Sequence, residues 1–169
     1  MKHVLEFLFV AGLMMWHPLF SQTKIASTRG GWNSFDAGLE LAKINHKKIL
    51  VDVYTDWCGW CKRMDEEVYS DPRVKEYLEK NFVLIKMNAE AKGTIHYKGK
   101  IYSPPQLASA FGVTGYPATL FLKDDSDAIT LLPGYMEAPM FLHVLSFVAE
   151  NQYGKKQFNQ YLKEKGVEQ

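Results

Sequence analysis

The stretch ILVDVYTDWCGWCKRM, residues 49–64, decides how this chain is read. Its first half is a β-branched apolar run, short enough for a strand and apolar on both faces, as strands inside a buried parallel sheet are. Its second half opens at Cys58 and continues from Gly59 in helix-forming residues, so a helix should start at the first cysteine. Cys58 and Cys61 are the only cysteines of the 169-residue chain, and they stand three positions apart. Such a pair bridges itself, holds a metal, or does chemistry.

Structural stapling is a weak reason for the spacing, because a bridge closing so small a loop removes little unfolded-state entropy. A structural zinc takes about four nitrogen or sulfur ligands. The histidines, His3, His17, His46, His96 and His143, are scattered without paired spacing, so no metal is expected. Haem attachment requires histidine directly after the second cysteine, and residue 62 is lysine. A cysteine–histidine hydrolase leaves the second cysteine unexplained. Dithiol–disulfide exchange uses both. At a helix N-terminus, unpaired backbone N–H groups and the helix dipole favour the thiolate of Cys58, the reactive form. One turn later, Cys61 can attack a mixed disulfide formed at Cys58. The only cofactor this chemistry needs is the Cys58–Cys61 disulfide itself.

Working outward, the chain is 47% hydrophobic and 23% charged with a formal net charge of +1. That suffices for one domain with a proper core and is short for two. Charges of both signs are interleaved, so no basic stripe points to nucleic acid and no acidic tail to a solvating segment. The first residues differ in kind: Lys2 and His3 precede an apolar run from Phe7 to Trp16, which breaks at His17-Pro18. Against the roughly 20 residues needed to cross a bilayer, this run reads as a secretory signal over residues 1–21. The alternatives are a core helix or an uncleaved membrane anchor over residues 4–20. Residues 22–32 read as a polar linker, 33–153 as the folded domain, and 154–169 as a helical extension with Phe158, Tyr161 and Leu162 on one side.

Within the domain the pattern predicts a helix capped by Asn33 or Ser34, strand KILVDVYT, the cysteine helix, and a helix capped by Ser70 or Asp71 with Pro72 in its first turn. Then come strand FVLIKMNAE, a polar segment with a loop or small hairpin around Lys98-Gly99, and a short helix QLASAFGV. A β-hairpin turning at Asp124–Asp127 follows, and a closing helix whose Phe141, Leu145 and Val148 stripe is core. A βαβ unit followed by a ββα unit predicts an α/β fold around a central mixed sheet flanked by helices.

ILVDVYTDWCGWCK resembles the active-site strand and helix of the thioredoxin superfamily, and FGVTGYPATLFLKD resembles that family's segment around its cis-proline. The resemblance covers roughly residues 33–150 and implies a thioredoxin-like fold. It implies that Asp52, six residues before Cys58, is a buried acid serving Cys61 through water, that Lys86 pairs with it, and that Pro117 is a cis-proline facing the cysteines. The wording WCGWCKRMDEEVYSDPRV is closer to exported thioredoxin-like proteins, including the C-terminal domain of the membrane thiol:disulfide interchange protein, than to cytosolic thioredoxin. Gly59-Trp60 stands where thioredoxin has Gly-Pro, Tyr54 replaces a usual tryptophan, and residues 91–105 are an insertion.

Cys58, Cys61 and Asp52 are therefore expected to be catalytic. Trp57, Trp60, Tyr116 and Pro117 are expected to shape the docking surface, with Lys86 and Gly59 in support. Each neighbour also has a plain structural role open to it: Asp52 and Lys86 as a strand ion pair, Trp57 and Tyr116 as packing, Lys62 and Arg63 as helix-surface charges. The expectation is an exported oxidoreductase acting on protein or peptide disulfides, recharged by an upstream thiol/disulfide partner, and touching membrane only through an uncleaved leader. Asp56, Asp65 and Glu66 near the sulfurs should oppose the thiolate and favour a reductant. The rival is a thioredoxin-like binding or folding-assistance module with little turnover.

Overall fold

A seven-residue strand, Lys48–Tyr54 (β2), forms the centre of the sheet because nearly every residue in it can be buried. The computed structural model describes residues 31–167. The expected leader and most of the expected linker lie outside them. The strands lie in the order Trp32–Asn33 (β1), Phe82–Asn88 (β3), β2, Ala118–Leu122 (β6) and Ala128–Pro133 (β7), with a separate two-stranded ribbon of Ile95–Tyr97 (β4) and Lys100–Tyr102 (β5). β3 runs parallel to β2, and β1 runs parallel to β3. β6 is antiparallel to β2, and β7 is antiparallel to β6. The mixed sheet follows the expected βαβ and ββα order.

The helices are Phe35–Asn45 (α1), Gly59–Met64 (α2), Pro72–Asn81 (α3), Pro104–Ala110 (α4), Ala138–Ala149 (α5) and Phe158–Glu164 (α6). Side chains alternate across the sheet, as the strand period requires. Ile49, Val51 and Val53 enter a core shared with α1 and α4. Leu50 enters the opposite core, shared with α3, α5 and Met64 of α2. Asp52, two residues on from Leu50, therefore belongs to the α2/α3/α5 side, the side on which the cysteine helix lies. The parallel register sets Lys86 beside Asp52 and the antiparallel register sets Thr119 beside it.

Three local expectations are revised. Residues 32 and 33 pair with Leu84 and Ile85 as a short strand, so among the described residues a strand precedes the first helix. Neither Asn33 nor Ser34 caps α1 through its side chain. Ser34 occupies the N-cap position without a side-chain cap bond, while the Asn33 amide donates to the carbonyls of Leu84 at 3.0 Å and Gly31 at 3.1 Å. The short helix starts two residues earlier than expected, because Ser103 and Gln106 form a reciprocal capping box around the Pro104-Pro105 first turn.

Other signals hold. Asp71 caps α3 by accepting from the backbone N–H groups of Arg73 and Val74. The 91–105 insertion folds as a small hairpin, Ile95–Tyr97 (β4) and Lys100–Tyr102 (β5). Lys98 and Gly99 turn it with positive φ (49° and 74°), the backbone a two-residue hairpin demands. The C-terminal extension docks through α6, where Tyr161 and Leu162 are buried and Phe147 of α5 meets Phe158 and Tyr161 edge-on.

Gly38 marks where α1 presses on the sheet: a β-carbon there would overlap the Ile85 side chain, itself fully buried. Gly38→Ala should lower unfolding free energy by about 1–3 kcal/mol through overpacking. Gly59→Ala, with open space at its β-carbon position, should stay within about 0.5 kcal/mol. Paired urea melts check both.

Candidate active site

Where β2 ends at Tyr54, the chain turns: the Cys58 N–H donates to the Thr55 carbonyl at 3.2 Å. Cys58 then becomes the N-cap of α2, its sulfur accepting the Cys61 N–H at 3.0 Å. Cys58 and Cys61 are joined as a disulfide, S–S 2.09 Å and Cα–Cα 5.3 Å. The helix thus starts at the first cysteine, and one of the orphan N–H donors of its first turn is aimed at sulfur. In the bridged form the two cysteines are equally covered, at 4% and 5% exposure. Bridging draws both sulfurs under the same surface, so the N-cap position, and not exposure, separates their chemistry.

Beneath the disulfide helix is a charged network. Asp52 is 2% exposed, and its carboxylate pairs with Lys86 Nζ at 3.1 Å. Burial raises its pKa to about 6, against the opposing pull of Lys86. Lys86 also reaches both oxygens of Asp65 at 2.5 and 2.6 Å. The Tyr69 hydroxyl stands 3.4 Å from Asp52 Oδ1 and 3.5 Å from Thr119 Oγ1. Burial and then the Asp52 charge drive the Tyr69 pKa well above its ordinary value, so the phenol stays protonated as a donor. Asp65 and Tyr69 bound a π-helical turn, Asp65–Tyr69, that continues α2. Burial alone would lower the Lys86 ammonium, but the two carboxylates outweigh it and raise its pKa. The rings of Tyr54, Trp32 and Tyr69 lie 5.0, 5.3 and 5.9 Å from that ammonium. A cleft of about 690 Å³, lined in part by Trp32, Tyr54, Asp65, Tyr69 and Lys86, opens this network to solvent.

Asp65 was expected to oppose a thiolate at Cys58. It is instead paired with Lys86, which it shares with Asp52. The expected Asp52–Lys86 pair is present, with Asp65 as a third member that strand patterning could not supply.

On the surface above, Trp57 and Trp60 flank the cysteines at 67% and 54% exposure. Trp57 donates from Nε1 to Glu90 at 2.9 Å and meets Tyr116 edge-on at 6.1 Å. The Tyr116–Pro117 peptide bond is cis. A β-carbon at Gly59 would meet open space. Sequence reasoning missed Glu90, Tyr69 and Tyr135. Tyr135 follows β7 and packs on Trp60 at 5.4 Å between ring centres. Only the Arg63–Glu67 pair in this cluster carries a local sequence signal, its i,i+4 spacing. Among the described residues no cluster of three or more histidines, cysteines or carboxylates could hold a metal ion, and no helix is long and apolar enough to cross a membrane.

A family model described as a thioredoxin-like domain matches residues 35–149, more than half of the chain. The chain belongs to the thioredoxin-like domain family. The matched residues include the Cys58–Cys61 disulfide and the helix that follows it. A curated relative, the thiol:disulfide interchange protein DsbD of Yersinia pestis, is 31% identical over 107 residues, covering 62% of this chain. The match spans 16% of that relative's length, so the chain resembles one part of a much longer protein. Among solved structures, a Bacteroides thetaiotaomicron protein assigned provisionally as a disulphide-isomerase is 31% identical, with a TM-score of 0.57, covering 73% of this chain and 90% of that one. A thioredoxin from Thermus thermophilus is 26% identical, with a TM-score of 0.58, covering 73% and 88%.

The raised carboxyl of Asp52 has a defined sign in folding. The folded state holds its proton more tightly than the unfolded chain, so its contribution is complete below about pH 4 and is lost as pH rises through about 6. In the oxidised protein, where the cysteines do not titrate, Asp52→Asn should gain about 1–3 kcal/mol at pH 7.5. Lys86 keeps Asp65 as a partner in that variant. The gain should vanish near pH 4, as measured by chemical denaturation at both pH values.

Proposed function

We propose that this domain is a thiol–disulfide oxidoreductase that acts on protein or peptide disulfides, and that it works as a reductant in an exported setting. The observation that carries the proposal is the Cys58 N-cap: the Cys61 N–H directed at the Cys58 sulfur, just after the central strand on which Asp52 is buried. In the reduced form, the Cys58 thiolate attacks one sulfur of a substrate disulfide. That S–S bond breaks, the distal substrate sulfur leaves as a thiolate, and a mixed disulfide forms at Cys58. Cys61 then gives up its proton and attacks the Cys58 sulfur. The second substrate sulfur leaves, and the Cys58–Cys61 disulfide forms, the state the structure holds. Asp52, with a pKa of about 6, is suited to accept the Cys61 proton near neutral pH. A dithiol partner must return two electrons for the next cycle.

The donor direction rests on how little stabilises a Cys58 thiolate. Its sulfur accepts one backbone N–H, the nearby Arg63 is tied to Glu67 at 2.8 Å, and Asp56 and Glu66 carry negative charge close in sequence. A weakly stabilised reduced form gives its electrons away more readily. Export is supported by the leader-like pattern of residues 1–21 and by the likeness to part of an interchange protein.

Reduced protein should cleave the interchain disulfides of insulin, and Cys58→Ser should abolish this. Asp52→Asn should retain the first attack while slowing release from the mixed disulfide. Equal precipitation with wild type and Cys58→Ser would instead favour a binding module that seldom turns over. Equilibration with glutathione should give a potential nearer about −270 mV than about −120 mV, the span known for this chemistry. A value at the oxidising end would reverse the direction.

A further inference from the structure

Trp60 is not simply an exposed ring. Its indole packs against Tyr135 at 5.4 Å, and the Arg63 guanidinium lies 5.2 Å from the centre of each ring. Glu67 closes the circle, accepting from Arg63 Nε at 2.8 Å and from the Tyr135 hydroxyl at 2.7 Å. The Tyr135 segment is itself anchored, because the Gly134 N–H donates to the Pro117 carbonyl at 2.8 Å. Exposed contacts of this kind contribute little to stability one at a time. Joined in a ring, they remove rotamer freedom from an aromatic that would otherwise lose it on each binding event. Across the disulfide, Trp57 is held separately by Glu90 and Tyr116. Gly59, between Cys58 and Trp60 in the chain, has nothing within 4 Å of its β-carbon position.

We propose that Tyr135, together with Arg63 and Glu67, is a positioning residue that fixes the Trp60 indole as a wall beside the disulfide, selecting substrates that carry an apolar side chain next to the reacting cysteine. The proposal rests on disulfide exchange at Cys58. A cysteine-bearing segment enters over Gly59, and the neighbouring side chain packs on the Trp60 face. An apolar group gains contact there without desolvating a polar one, whereas glycine gains none.

Two short peptides test this, identical except for leucine or glycine after the cysteine, each disulfide-linked to a chromogenic thiol and turned over with dithiothreitol as reductant. Wild type should prefer the leucine peptide by about fivefold or more in kcat/KM, the scale of one aromatic contact. Tyr135→Ala should erase the preference, the loss falling in KM for the leucine peptide and not in kcat. Tyr135→Phe, which keeps the ring and loses the bond to Glu67, should restore part of it. Preference unchanged in Tyr135→Ala, or an equal fall in kcat for both peptides, would overturn the proposal. Serine-for-cysteine versions of the peptides, titrated against the oxidised protein, separate it from the exchange chemistry. If wild type turns over neither peptide, exchange at Cys58 fails. Weaker binding of the leucine version by Tyr135→Ala would then still support the wall, and equal binding by both proteins would sink it.

Discussion

Strand β2 is the constraint from which the rest of the structure follows. It is hydrogen-bonded on both edges, parallel to β3 and antiparallel to β6, and both its faces are covered. A strand so placed cannot slip by one residue, because every side chain would then exchange cores. Its end at Tyr54 is therefore a fixed point. The turn through Thr55 delivers Cys58 to the start of α2, and the disulfide inherits its position from the central strand of the sheet.

The same strand carries the one carboxylate that the core can hold only under strict conditions. An isolated buried charge is expensive, and Asp52 is kept by Lys86 from the neighbouring strand, with the Tyr69 hydroxyl close by. The compensation is incomplete, which is why its pKa stays near 6 and not near that of a free carboxyl. Incomplete compensation is what makes a carboxyl useful near neutral pH, because it can take up and release a proton there. The π-helical turn after α2 completes the arrangement by setting Asp65 on Lys86 and Tyr69 over Asp52. π-turns of this kind are uncommon and cluster at functional sites.

Above the disulfide the logic changes from burial to exposure. Two large indoles remain in solvent, each held by neighbours from other parts of the chain, so the apolar surface around the sulfurs is ordered before anything binds. The inserted β4-β5 ribbon lies apart from this surface, on the α1 side. There the Asp36 carboxylate receives the His96 backbone N–H at 2.9 Å, and the Tyr97 hydroxyl donates to the Ser126 carbonyl at 2.8 Å.

By itself the sequence determined most of what depends on short-range pattern, the start of α4 at its Ser103–Gln106 capping box excepted. The apolar run of β2, the cysteine spacing, the Asp71 cap, the Lys98-Gly99 hairpin and the alternation of strands and helices are all encoded within a few residues of where they act. The placement of Asp52 and Lys86 side by side was also legible, through the resemblance carried by the residues around the cysteines. Tertiary structure alone decided the remaining long-range meetings of charges and rings. Lys86 turns to Asp65 as well as to Asp52, Trp32 joins the sheet in place of a linker, and Tyr135 reaches Glu67 across 68 residues of chain. The physical reason is one of range. Backbone hydrogen bonds, capping and periodic burial act between near neighbours and leave a mark in the local sequence. Ion pairs and aromatic contacts between distant segments exist only once packing has brought those segments together.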